Sequence, residues 1–111
     1  MKLIGTFVSQ RWGSVHVLRG TYQALNGPVA VALQLADGEP LATLSVNMYV
    51  PDCSHDSRDL PADCFYVKQW GGHEELAAEA LRSGLFKLRA DLPEAFSGFV
   101  NVPVWQIKAP A

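Results

Sequence analysis

The sequence predicts an α+β domain, a mostly antiparallel sheet of roughly five to seven strands with one helix packed on one face. Three observations lead there. Pro28 to Val50 (PVAVALQLADGEPLATLSVNMYV) places two apolar runs on either side of Asp37-Gly38, a strong hairpin signal because Gly38 takes positive φ at no steric cost. The strand-like stretches follow one another in runs instead of alternating with helices. Only His73 to Ser83 (HEELAAEALRS) carries apolar residues at helical spacing.

In chain order, Leu3 to Gln10 reads as a first strand, ended by the Arg11-Trp12-Gly13-Ser14 turn. Ser14 to Arg19 alternates as a second, with Gly20 as an end or bulge and Thr21 to Leu25 as a continuation. Asn26-Gly27 suits a type I′ turn before the central hairpin. In that hairpin Val29, Val31, Leu33 and Leu35 share one face, and Ala30, Ala32, Gln34 and Ala36 the other. The return limb sets Ala42, Leu44, Val46, Met48 and Val50 against a mixed face. One heavy face and one light face imply a covering layer on the heavy side.

Pro51 to Asp63 is the most polar segment, and its two prolines, four aspartates and two serines make it an exposed loop. Cys64 to Trp70 alternates Phe65, Val67 and Gln69 with Tyr66, Lys68 and Trp70, and Gly71-Gly72 ends it. In the helix, Glu74 and Glu75 favour the positive end of the dipole and Arg82 the negative end. Gly84 is placed as the residue after the C-cap. Leu76, Ala77, Ala80 and Leu81 form its apolar stripe, which is expected to cover one face of the hairpin sheet. Leu85 to Ala90 returns as a short strand. Phe99 to Lys108 is the last, and Pro103 within it argues for an edge position or a bulge.

The bulk properties fit a single folded domain over all 111 residues. Hydrophobic residues make up 49% and charged ones 18%, the reverse of a disordered composition. The net charge of −2 and the pI near 5.8 argue against direct nucleic-acid binding. No apolar run is long enough to cross a bilayer, and the N-terminal MKLIGTFVSQRWG is too short and broken in its apolar part for a signal peptide. The expected compartment is the cytoplasm. The two cysteines, Cys53 and Cys64, are then expected as free thiols.

Few motifs carry chemistry. Cys53, His55, Cys64 and His73 include the ligand types of a tetrahedral zinc site, but without a Cys-x-x-Cys knuckle or a familiar finger spacing. The same residues would centre a small metal- or thiol-dependent enzyme, with a cysteine as nucleophile and His55 as its base. No third member is recognisable. The loop aspartates lack EF-hand spacing, and His16 lies within a strand pattern. Gly71-Gly72 precedes Glu74 and Glu75, which would repel a phosphate. The reading is therefore no enzyme, no cofactor and no metal.

The three tryptophans, three tyrosines and five phenylalanines are many for this length; half or more are expected in the core, and exposed Trp with Arg is a usual interface anchor. Arg11, Trp12, Lys68 and Trp70 are the candidate partner-binding residues. Asp52, Asp56, Arg58 and Asp59 form a second charged contact surface in the loop. The bland alternative for each is core-edge packing or a solvated loop. A self-associating subunit, a homodimer through an edge strand, is the remaining reading.

Three further stretches share one order: Asp37-Gly38-Glu39-Pro40-Leu41-Ala42-Thr43-Leu44-Ser45-Val46-Asn47; Phe65-Tyr66-Val67-Lys68, followed by the Leu/Ala helix ending in Ser83-Gly84-Leu85; and Ser97-Gly98-Phe99-Val100, then Val102-Pro103-Val104. Together they resemble a family of small accessory proteins carried on phages and plasmids, over roughly Val29 to Ile107. The Asp-rich loop is a departure that looks like an insertion. The resemblance implies an accessory protein of a mobile element. Such proteins often inhibit host defence, anti-CRISPR proteins being the prominent example. The expected partner is thus a host CRISPR-Cas or other defence component, bound by protein–protein contact. The shared motifs are turns and strand starts, so no site residues are carried across.

Overall fold

The computed structural model describes residues 2–21, 29–46, 60–61, 63–68, 74–92, 94–97 and 100–108. The expected continuation of the second strand past Thr21, the Asn26-Gly27 turn, most of the Asp-rich loop, Trp70 and Gly71-Gly72 lie outside these residues.

Four strands form the first sheet: β1 (Lys2–Ser9), β2 (Gly13–Thr21), β3 (Val29–Leu35) and β4 (Pro40–Thr43). They run as an antiparallel meander in the order β1-β2-β3-β4. Gly13 turns the chain at φ 73° and Gly38 at φ 91°. In the β3–β4 hairpin the Gly38 amide donates to the Leu35 carbonyl (2.9 Å) and the Leu35 amide to the Glu39 carbonyl (2.9 Å). That is a three-residue loop with glycine in the left-handed position. Gly20 continues β2 opposite Ala30 and does not end it.

The heavy face predicted for β3 is the core face. Val31 and Leu33 are buried with Val15 and Val17 of β2 and Phe7 of β1.

The covering layer is a second sheet. It is made of β5 (Ser45–Val46), β6 (Cys64–Val67), β7 (Phe86–Leu88) and β10 (Val104–Ile107), in the order β5-β6-β10-β7. Every pairing in it is antiparallel. The chain changes sheets at Leu44, whose amide donates to Val31 of β3 (2.9 Å) while its carbonyl accepts from Lys68 just past β6 (2.8 Å). Switching sheets at a bend is how such sandwich corners are built. Alternation along β6 sends Phe65 and Val67 into the main core, and Cys64 and Tyr66 into a smaller cluster with Val102 and Val104. At the centre, the Trp105 ring lies 6.3 Å from Phe65 and 5.6 Å from Phe86, and Phe65 and Phe86 are 5.6 Å apart.

The stretch read as one C-terminal strand is two. β9 (Val100–Val102) pairs with β8 (Ala95–Ser97) in a small ribbon, and β10 begins after Pro103. Proline has no amide hydrogen, so the ladder breaks there and the strand takes new partners. β10 is consequently interior, between β6 and β7, and the edge position expected from Pro103 is not found. The breaks at Leu44 and Pro103, with β8, bring the strands to ten among the described residues.

Among the described residues there is one helix, α1 (Glu74–Arg82), with its predicted acidic start and basic end. Gly84 follows it at φ 86°, as the C-cap pattern required. Leu76, Ala77 and Ala80 are buried in the main core, and the helix lies against β1 and β7, an edge strand of each sheet.

Candidate protein-binding surface

The β1–β2 turn is where sequence and structure agree on an exposed aromatic. Trp12 is 44% exposed, and the Arg11 guanidinium lies 5.1 Å from the centre of its ring. Val8, on the same edge, is 77% exposed. The turn is held by Ser9, whose side chain is buried. The Ser9 hydroxyl donates to Glu79 Oε1 on α1 (2.8 Å) and accepts from the amides of Arg11 (3.3 Å) and Trp12 (3.2 Å). The Gln10 amide donates to Glu79 Oε2 (2.7 Å). One carboxylate thus ties the turn to the helix. These bonds, the Gln10 amide first and the Ser9 hydroxyl second, hold the Glu79 carboxyl below its ordinary value.

Between turn and helix lies an open cavity of about 410 Å³, lined by Gln10, Arg11, Glu75, Ala78, Glu79 and Arg82. Its charges are mixed, two arginines facing two glutamates. This surface offers one fixed aromatic anchor, a guanidinium already stacked on it and a polar surround, which suits contact with a protein.

Lys68 is not part of that surface. It is half-buried, and its amide bonds to Leu44, which is bound to Val31 opposite Arg19, at the far end of β2 from Trp12. Trp70 and the loop residues Asp52, Asp56, Arg58 and Asp59 lie outside the described residues. So do Cys53, His55 and His73 of the metal and thiol readings. Cys64 is described and is 3% exposed; burial pushes its thiol up, against the Arg89 guanidinium, which pulls it down. A buried cysteine with a raised pKa is a poor nucleophile. Arg89 itself is engaged, with Nε and NH2 on the Asp91 carboxylate (2.9 and 2.7 Å) and NH1 on Gln106 Oε1 (2.8 Å). His16 lies half-buried in β2, paired with Thr6 and Gln34. Among the described residues no group of three or more His, Cys, Asp or Glu could hold a metal ion, and no helix is long and apolar enough to cross a membrane.

Glu79, which ties this turn to the helix, is the residue that the sequence did not reveal. On an amphipathic helix its position reads as a solvated face, and its partners are far away in the chain.

The fold is two four-stranded antiparallel sheets and a small ribbon with, among the described residues, one helix, and the candidate site is a hydrogen-bonded turn presenting Trp12. No protein-family model matches the chain, and comparison with curated proteins and with solved structures returned no match either.

Proposed function

We propose that this chain is a non-enzymatic binding protein that acts by protein–protein contact, with the Arg11–Trp12 turn as its anchor. The observation that carries this reading is that Trp12 is 44% exposed on a turn that the Ser9–Glu79 hydrogen bond fixes in place. A pre-fixed aromatic loses little conformational freedom on binding. In this reading α1, covering one side of the core, is the backing that keeps the turn rigid. The resemblance of Val29 to Ile107 to mobile-element accessory proteins supplies the choice of partner. That partner is a host defence effector in the cytoplasm, a CRISPR effector complex first, inhibited by covering one of its surfaces. No nucleic-acid contact is required of a chain with net charge −2.

The test is binding and inhibition with a panel of purified CRISPR effector complexes. Trp12→Ala is expected to weaken binding roughly thirtyfold, as for an interface hot spot. Its own unfolding free energy should move by less than about 0.5 kcal/mol, as for an exposed position. Binding untouched by Trp12→Ala in a folded protein removes this surface. A panel in which no complex is bound removes the host-defence reading.

A further inference from the structure

A second concavity lies at the other end of β1, away from the Trp12 turn. From Leu3 to Ser9 is about six residues of extended chain, roughly 20 Å. It is a groove of about 600 Å³, framed by the start of β1, the end of β2, the end of β10 and the turn after α1. Its apolar lining is aliphatic: Leu3, Ile4, Leu85 and Ile107. Leu3 is 51% exposed, an apolar side chain left uncovered at the mouth.

The rim is cationic. Lys2, Arg19 and Lys108 surround the groove with Asp63 as the one acid, although the chain as a whole carries a net charge of −2. Asp63 is committed: it ion-pairs with Arg19, and its carbonyl accepts the Ile107 amide (2.8 Å). It is also the one non-glycine residue with positive φ, 65°, among those described. That pair cancels one cation and leaves Lys2 and Lys108 with no carboxylate partner among the described residues. The Leu85 carbonyl accepts the Lys108 amide (3.0 Å), so it is not a free acceptor competing for a cationic head.

We infer that this groove binds a small amphipathic anion, a free aliphatic carboxylate whose chain lies on Leu3, Ile4, Leu85 and Ile107 and whose head meets Lys2 and Lys108. The volume suits a small molecule, and apolar lining with a few convergent polar groups is the usual make-up of such sites. Two unpartnered ammonium groups select the sign of the head. They leave its geometry loose, since lysine acts as a point charge.

The probe is decanoate, followed by amide shifts in a two-dimensional NMR titration of the whole chain. Saturable shifts are expected at Leu3, Ile4, Arg19, Leu85 and Lys108, with the Arg11 and Trp12 amides unmoved. Decyltrimethylammonium, with the same chain and opposite charge, should bind at least about tenfold more weakly. The double variant Lys2→Glu/Lys108→Glu changes two exposed side chains and should keep the fold. It should lose at least about tenfold in decanoate affinity, and raised salt should weaken the wild type in the same direction. Equal binding of the cation, or a double variant that binds as tightly as the wild type, overturns the inference. So does binding to anionic vesicles with none of free decanoate, which would assign the groove to a membrane surface. None of these outcomes bears on Trp12, so the two sites are tested separately.

Discussion

The Ser9 hydroxyl reaches Glu79 across 70 residues of chain and meets its carboxylate at 2.8 Å, with the Gln10 amide on the other oxygen at 2.7 Å. A strand end and a helix are thereby locked by a single acid.

Glu79→Ala removes both bonds, and charged hydrogen bonds of this kind put the loss at about 1–2 kcal/mol. Amide exchange at Gln10, Arg11 and Trp12 should rise more than within β1. The pH dependence has a defined sign. The folded carboxyl titrates below the ordinary value of 4.5, so its contribution is complete above that value and fades as the pH falls through the folded one. Asp91, held down to about 2 by Arg89, loses its contribution as the pH falls toward that value. Denaturant unfolding between pH 3 and 6 should therefore show a flatter acid limb in Glu79→Gln. An unchanged limb would mean that this acid does not anchor the turn.

Gly5 and Leu85 form a second long-range pair. A Cβ on Gly5 would lie 2.6 Å from Leu85 Cδ2, so Gly5→Ala forces the leucine aside at about 1 kcal/mol. The φ at Gly5 is not positive, so backbone strain adds nothing. In a Leu85→Ala background the same change should be neutral or slightly stabilising, because alanine restricts the unfolded chain. A double-mutant cycle in urea reads the coupling, and additive costs would refute the contact.

Ser45 substitutes for a strand neighbour. Its hydroxyl accepts the Val31 amide at 2.8 Å inside the core. Ser45→Ala strands that donor away from water and should cost about 1–3 kcal/mol, far more than the loss of one oxygen suggests. Thermal unfolding checks it, and a change under about 0.5 kcal/mol would show that Val31 finds another acceptor.

Trp105 is fully buried, and its Nε1 has no hydrogen-bond acceptor among the described residues. Trp105→Phe loses ring volume but also removes an unsatisfied donor, so its cost should stay below about 2 kcal/mol. Trp105→Ala should cost about 3–5 kcal/mol. Equal costs for the two would place a partner on that nitrogen.

The parts of the fold readable in the sequence are those set by local chemistry. Gly38 marks its turn because only glycine takes that φ freely, and the helix announces itself through Glu74, Glu75, Arg82 and Gly84. The chain's changes of sheet were not readable. Leu44 and Pro103 sit in stretches whose alternation continues on both sides, and alternation reports a strand's faces without reporting its neighbours. Pro103 signalled an interruption, and its missing amide does interrupt; whether the next segment lies at an edge depends on β6 and β7, far off in sequence. In the site, Trp12 was legible because a large aromatic beside a glycine turn has little core to enter. Glu79 was not, since its role is defined by Ser9 and Gln10. Residue type alone groups Lys68 with Trp12, and the path of β2 separates them.

The insertion of Val104–Ile107 between β6 and β7 imposes an order on synthesis. The first four strands are complete by Thr43, but the layer that shields Val15, Val17, Val31 and Leu33 cannot close until its middle member leaves the ribosome. Until residues 104–107 are made, the first sheet keeps an uncovered apolar face, and this one strand acts as a keystone. Stalling just before residue 104 should leave a species that chaperones hold and proteases cut, whereas a chain that carries residues 104–107 clear of the ribosome should close.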